Sequence, residues 1–137
     1  MHKAHILVAC EDTTRRNVYA KQMRLLGARV RAVRTAEEAM AQTESARFDR
    51  VICSEQLGAS SGEEVLRQVS LINEEAERIL LGAVSCSWAS RTVPVPFDFE
   101  TLKSLVAEPG VDPRTRTVEE RLEAVVEARD RRRRRIA

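Results

Sequence analysis

The chain has 137 residues, 43% of them hydrophobic, 32% charged and 4% aromatic, which suits one compact domain with a short appendage and excludes two large domains. Its formal charge of +2 conceals a split, with 14 Lys or Arg against 16 Asp or Glu in residues 1–113 and 9 against 5 in residues 114–137. Affinity for polyanions is therefore expected of the tail and not of the body. Three widely spaced cysteines, Cys10, Cys53 and Cys86, argue against a secreted disulfide scaffold and for a reducing cytoplasm. The early apolar run at residues 6–10 is far shorter than the roughly 20 residues that cross a bilayer, and no signal peptide is evident. A cytoplasmic, soluble protein with no membrane partner is expected.

The run Ile6, Leu7, Val8, Ala9, Cys10 stops abruptly at Glu11 and Asp12, as a central parallel strand buried on both faces would. Thr13 or Thr14 is the expected cap of a helix bearing Val18, Tyr19, Gln22, Met23 and Leu26, with Gly27 as its stop. A second strand follows at residues 30–33. Thr35 and Glu38 have capping-box spacing ahead of a helix with Ala36, Ala39 and Met40 on its apolar side. Phe48, Val51, Ile52 and Cys53 make a third strand, and Val65, Leu66, Val69 and Ile72 an amphipathic helix. Ile79, Leu80 and Leu81 form a fourth strand, and Val93 and Val95 an irregular or edge strand, because Pro94 and Pro96 lack ladder donors. Asp98 or a neighbour starts a helix with Leu102, Leu105 and Val106. Strands alternating with helices predict a doubly wound α/β body. Breakers between residues 108 and 113 divide the chain into a body at 1–108, a linker at 109–114 and an amphipathic segment with an arginine end at 115–137.

Across residues 4–107 the chain resembles the receiver domains of two-component response regulators. The resemblance rests on ILVACED at 6–12, the Gly27 stop, FDRVICSEQLGASSG at 48–62, RILLGA at 78–83 and VPFDFETL at 95–102. It implies a flavodoxin-like five-stranded parallel sheet of order 2-1-3-4-5, with the phosphorylation site beyond the strand carboxyl ends. In that family an aspartate after the third strand accepts phosphate, and an acidic pair after the first strand helps to bind magnesium.

The matching positions depart from that chemistry. Counting back from Gly62 and Leu57 puts Ser54 at the acceptor position, with Glu55 adjacent and its side chain expected to point elsewhere. A serine hydroxyl brings no metal-binding charge and attacks poorly without a base. Registration from Gly27 sets Cys10 in place of the first acid; a one-residue shift would restore Glu11 and Asp12 as a pair. The switch hydroxyl is replaced by Gly82 and the lysine by Val95, neither of which has a side-chain donor. Gly82 and Val95 are also too close in sequence for a full fourth helix, which is expected to be shortened or missing. The resemblance is thus to a pseudo-receiver.

The function expected is a phosphorylation-independent signalling adaptor with no catalytic activity, partnered by a signalling protein or a second copy of the chain. Trp88, Val118, Leu122 and Val125 are the expected apolar contacts, with Val84, Trp88, Val93 or the C-terminal segment covering the place of the fourth helix. Two alternatives are an atypical phosphoacceptor using Ser54 or Glu55, and a nucleic-acid-associated regulator using Arg131, Arg132, Arg133, Arg134 and Arg135. No cofactor is expected, apart from weak, vestigial magnesium binding at Glu11 and Asp12. The cysteines, His2 and His5 have no metal-ligand spacing, and the small residues 58–62 lack a nucleotide-binding fingerprint.

Overall fold

A computed structural model of the chain describes residues 3–83 and 86–107. The elements run β1 (His5–Ala9), α1 (Thr13–Leu25), β2 (Arg29–Val33), α2 (Ala36–Ser45), β3 (Arg50–Ser54), β4 (Gln56–Leu57), β5 (Ser60–Ser61), α3 (Gly62–Ile72), β6 (Glu77–Leu81), β7 (Arg91–Val93) and α4 (Phe99–Val106). Five strands pair in parallel in the order β2-β1-β3-β6-β7, and β4 and β5 form a separate antiparallel ribbon. This is the expected doubly wound sheet, with β7 at an edge where the neighbouring prolines break no ladder.

Two apolar layers cover the sheet. Leu7, Ala9, Val51, Cys53 and Leu80 pack beneath α2 and α3 through Ala36, Ala39, Val65, Leu66 and Val69. Ile6, Val8, Ile52, Ile79 and Val93 face Met23 of α1 and Leu102 and Leu105 of α4. β1 is buried on both faces, as its unbroken apolar run requires. Each such aliphatic side chain contributes about 1.5–3 kcal/mol by leaving water.

Caps set the helix starts. Thr35 and Glu38 form the expected capping box, with Glu38 N donating to Thr35 Oγ1 at 3.1 Å and Thr35 N to Glu38 Oε1 at 3.2 Å. The backbone N–H of Arg34, which donates to the same oxygen at 2.8 Å, and then that of Thr35 hold the Glu38 carboxyl below its ordinary range. Asp98 caps α4 through Thr101 N, 2.8 Å away. At α1 the expectation is corrected: Asp12, not Thr13 or Thr14, is the cap, accepting from Arg15 N at 2.8 Å. The face of α1 is also narrower than expected, burying Ala20 and Met23 and leaving Val18, Gln22 and Leu26 exposed.

Among the described residues no helix joins β6 to β7. Arg78 organises the crossover instead, donating from Nε to the Trp88 carbonyl at 2.7 Å and from its backbone to Ser90 Oγ at 2.9 Å. Cys86 and Ala89 pack on the layer that contains Leu80. Trp88, expected to help cover the sheet, is instead 39% exposed, whereas Val93 is buried. At the amino ends of the strands, Arg50 and Arg91 both engage the Glu77 carboxylate, at 2.8 and 3.1 Å. Arg50 Nη1 also donates to the Ala107 carbonyl at 2.7 Å, fixing the end of α4.

Candidate functional site

The carboxyl ends of β1 and β3 and the start of α1 enclose a cleft of about 230 Å³ that brings together Cys10, Glu11, Asp12, Ser54, Glu55 and Val95. Ser54 ends β3 and pairs in register with Leu81, so its partly exposed side chain stands at the strand terminus. Gly62 keeps the next helix close: a Cβ there would overlap the Ser54 carbonyl oxygen. The resemblance fixed Ser54 by its distance from Gly62, and that glycine is where backbone approach leaves no room for a side chain.

Glu55 lies just beyond the strand, its N–H donating to the Leu81 carbonyl at 3.2 Å and its carbonyl accepting from Gly62 N at 2.9 Å. Its side chain crosses the face of Gly82, where a Cβ would collide with Glu55 Cγ, Cδ and Oε1. The carboxylate then accepts the Ala83 N–H at 3.3 Å. At Gly82, where the resemblance implies a hydroxyl, the bare Cα is the seat of the Glu55 side chain. The departure at 82 and the acid next to the acceptor position are one contact.

The two acids after β1 divide their work. The Asp12 carboxylate is engaged at the amino terminus of α1, where helix N–H groups favour negative charge. Glu11 Oε2 reaches toward Gly58, 3.5 Å from where a Cβ there would stand. Arg16 Nη1 binds the carbonyls of Cys10 and Glu11 at 2.9 and 3.3 Å, holding this turn. Cys10 is buried, its thiol directed to the Asp12 carbonyl at 3.7 Å. Burial, and secondarily Cys10, push the Tyr19 phenol above its ordinary value of 10, and its ring stacks on Phe97 at 5.3 Å.

The cysteines do not form one cluster. Cys10 belongs to the layer under α1 and α4, whereas Cys53 lies in the layer on which Cys86 packs. Burial drives the Cys53 thiol far above its usual pKa, with a smaller contribution from Cys86. Among the described residues no three His, Cys, Asp or Glu side chains converge as metal ligands. No described helix is long and apolar enough to cross a membrane. Val84, His2, the 109–114 joint, Val118, Leu122, Val125 and Arg131, Arg132, Arg133, Arg134 and Arg135 lie outside the described residues.

No family model matches the chain, and no curated protein does. Solved structures share its fold. The response regulator TrrA of Thermotoga maritima, in complex with magnesium and beryllium fluoride, is 28% identical with a TM-score of 0.68, covering 74% of this chain and 95% of that one. The receiver domain of a Pseudomonas aeruginosa sensor histidine kinase, with magnesium in its active-site cleft, is 19% identical at a TM-score of 0.68, covering 76% of this chain and 94% of its own. A CheY-like receiver from Methanospirillum hungatei is 18% identical at 0.67 and covers 97% and 98%. The body is a flavodoxin-like α/β sheet. More narrowly, it has the receiver fold of two-component signalling proteins.

Proposed function

We propose that this chain is a cytoplasmic signalling adaptor on a receiver scaffold, a pseudo-receiver that acts through protein contacts, with a signalling protein or a second copy, and neither catalyses a reaction nor needs phosphorylation. The observation that carries this reading is the Glu55 side chain seated on Gly82 with its carboxylate on the Ala83 N–H. A carboxylate of the chain itself takes a donor that an arriving anion beside Ser54 would need.

The remaining groups support the same reading. Ser54 is a neutral hydroxyl with no histidine lining its cleft to serve as base, and Val95 offers no donor to a phosphoryl oxygen. Magnesium takes hard oxygen ligands in octahedral geometry. Here Asp12 is engaged as a helix cap and Cys10 offers a buried thiol, which leaves Glu11 as the carboxylate turned to neither task. We therefore assign magnesium no part in the adaptor's action.

The test is incubation of the full chain with acetyl phosphate and magnesium, followed by intact mass and sedimentation. An unmodified mass with unchanged sedimentation is expected. A magnesium-dependent phosphoryl adduct on Ser54 or Glu55 that alters association would overturn the proposal in favour of an atypical phosphoacceptor.

A further inference from the structure

Charge is segregated within the body in a way its near-neutral sum hides. Residues 13–34, which are α1, β2 and their joint, hold seven Lys or Arg and no Asp or Glu, whereas residues 35–107 hold six against twelve. None of those seven cations forms an ion pair with a described residue. Between α1 and the β2 edge runs a groove of about 570 Å³ lined by Arg16, Ala20, Lys21, Arg24, Leu25 and Ala32, with Asn17 at its side. Arg24 reaches across it to the Val30 carbonyl at 3.0 Å. Leu25 is 76% exposed and Val18, on the same helix, 45%.

A groove with an aliphatic floor and a cationic wall matches an amphipathic helix with an acidic flank better than a phosphate backbone, which has no use for an exposed leucine. The chain carries such a segment. In residues 117–128, Val118, Leu122, Val125 and Val126 recur at helical spacing, and Glu119, Glu120, Glu123 and Glu127 outnumber the single Arg121. Around the β6–β7 crossover, by contrast, the exposed Glu74 and Glu75 would repel those glutamates.

The connection also reaches. Arg50 fixes Ala107 at the amino ends of the strands, and Leu102 and Leu105 of α4 share an apolar layer with Met23 of α1. The ten residues from 107 to 117 span up to about 33 Å, more than the roughly 20 Å length of α1. We infer that the α1–β2 groove is the docking site for the chain's own residues 117–128, with Leu122 and Val125 beside Leu25, and glutamates facing Lys21 and Arg24. This inference is independent of the phosphorylation question.

Photo-crosslinking of the full chain tests it, with p-benzoylphenylalanine at position 25, an exposed site, and the products mapped by mass spectrometry. Expected are adducts between position 25 and residues 117–128 within a single chain. Lys21→Glu with Arg24→Glu should lower their yield about fivefold, and adding Glu119→Lys, Glu120→Lys and Glu123→Lys should restore it. Circular dichroism confirms that each variant is folded. Adducts confined to other segments, adducts only between chains, no adduct at all, or a yield indifferent to charge reversal in folded variants would each overturn the assignment. So would a charge reversal that abolishes binding to a DNA or RNA duplex while leaving the crosslink untouched.

Discussion

Replacing Gly82 by alanine tests the contact on which the site reading rests. The new Cβ would fall on Glu55 Cγ, Cδ and Oε1; because these are the far atoms of a flexible side chain, Glu55 would swing aside instead of forcing the backbone. The protein would then lose the hydrogen bond to Ala83, 3.3 Å long, worth about 1 kcal/mol, and part of the Glu55 packing. Gly82 is not among the glycines with positive φ, which are Gly27 and Gly58, so alanine fits its backbone and recovers roughly 0.5 kcal/mol by restricting the unfolded chain. Gly82→Ala should accordingly destabilise the wild type by about 1 kcal/mol, or about 4 °C in Tm. In a Glu55→Ala background the same change should be stabilising by about 0.5 kcal/mol, a coupling of roughly 1.5 kcal/mol. Urea unfolding followed by circular dichroism across the four proteins measures it. Equal effects in both backgrounds would refute the account, because the cost would then come from the backbone of Gly82 and not from its acidic neighbour.

The chain has one tyrosine, so absorbance near the phenolate band titrates Tyr19 directly. Its midpoint should lie above 10 in the native protein and return to the ordinary value in urea; because the folded pKa is raised, the associated stability is complete below pH 10 and fades as pH rises through the native midpoint. In a thiol-labelling time course Cys86, which is only partly buried, should react first, with Cys10 and Cys53 protected until unfolding; Cys53 labelling at the rate of Cys86 would contradict its burial. Glu77→Ala removes the carboxylate shared by Arg50, whose side chain is 4% exposed, and Arg91, leaving Arg50 with the Ala107 carbonyl and Arg91 with Ser104, and should cost about 2–3 kcal/mol in urea unfolding, less than a fully buried pair because Glu77 is partly wet.

The frame was legible because it is written in periodic burial. Burial of a central parallel strand on both faces produces the unbroken run at Ile6, Leu7 and Val8, and the capping box at Thr35 and Glu38 marks a helix start by itself. Asp12 was misjudged for a physical reason: aspartate and threonine are both good caps, and three candidates stood in a row, so only the turn held by Arg16 selects among them. The β4–β5 ribbon has no signature in the sequence, because two-residue strands of Gln56, Leu57, Ser60 and Ser61 carry no pattern to detect. The site was legible residue by residue but not as a contact. Gly82 reads as a departure and Glu55 as a neighbour of the acceptor position, and their complementarity depends on the β3–β6 register, which places Ser54 against Leu81. One signal was available: a long acid just after one strand, opposite a glycine just after its neighbour. The ionic group had a signal too, since Arg50, Glu77 and Arg91 each open a strand and β3, β6 and β7 are adjacent.

That ionic group bears on how a receiver fold is held together independently of the residues in its cleft. The stabilising contacts lie in the two apolar layers and at the amino ends of the strands, where Glu77 joins β3, β6 and β7 and Arg50 anchors the close of α4. The cleft residues lie at the opposite ends, and Glu11, Asp12 and Val95 there are exposed. Substitutions at such exposed positions rarely change stability by more than about 0.5 kcal/mol. Metal and phosphate ligands can therefore be exchanged with little loss of fold, whereas a bare glycine beside a sheet end would leave a gap. The Glu55 side chain fills that gap over Gly82 and ties the β6 terminus, through Ala83, back to β3. In a switching receiver the same junction would have to be free to rearrange when an anion arrives; here it is closed by a group that is always present. On the proposed reading, the contact that fills the sheet end also takes the donor a switch would use, and the two effects cannot be separated by substitution at Glu55 alone.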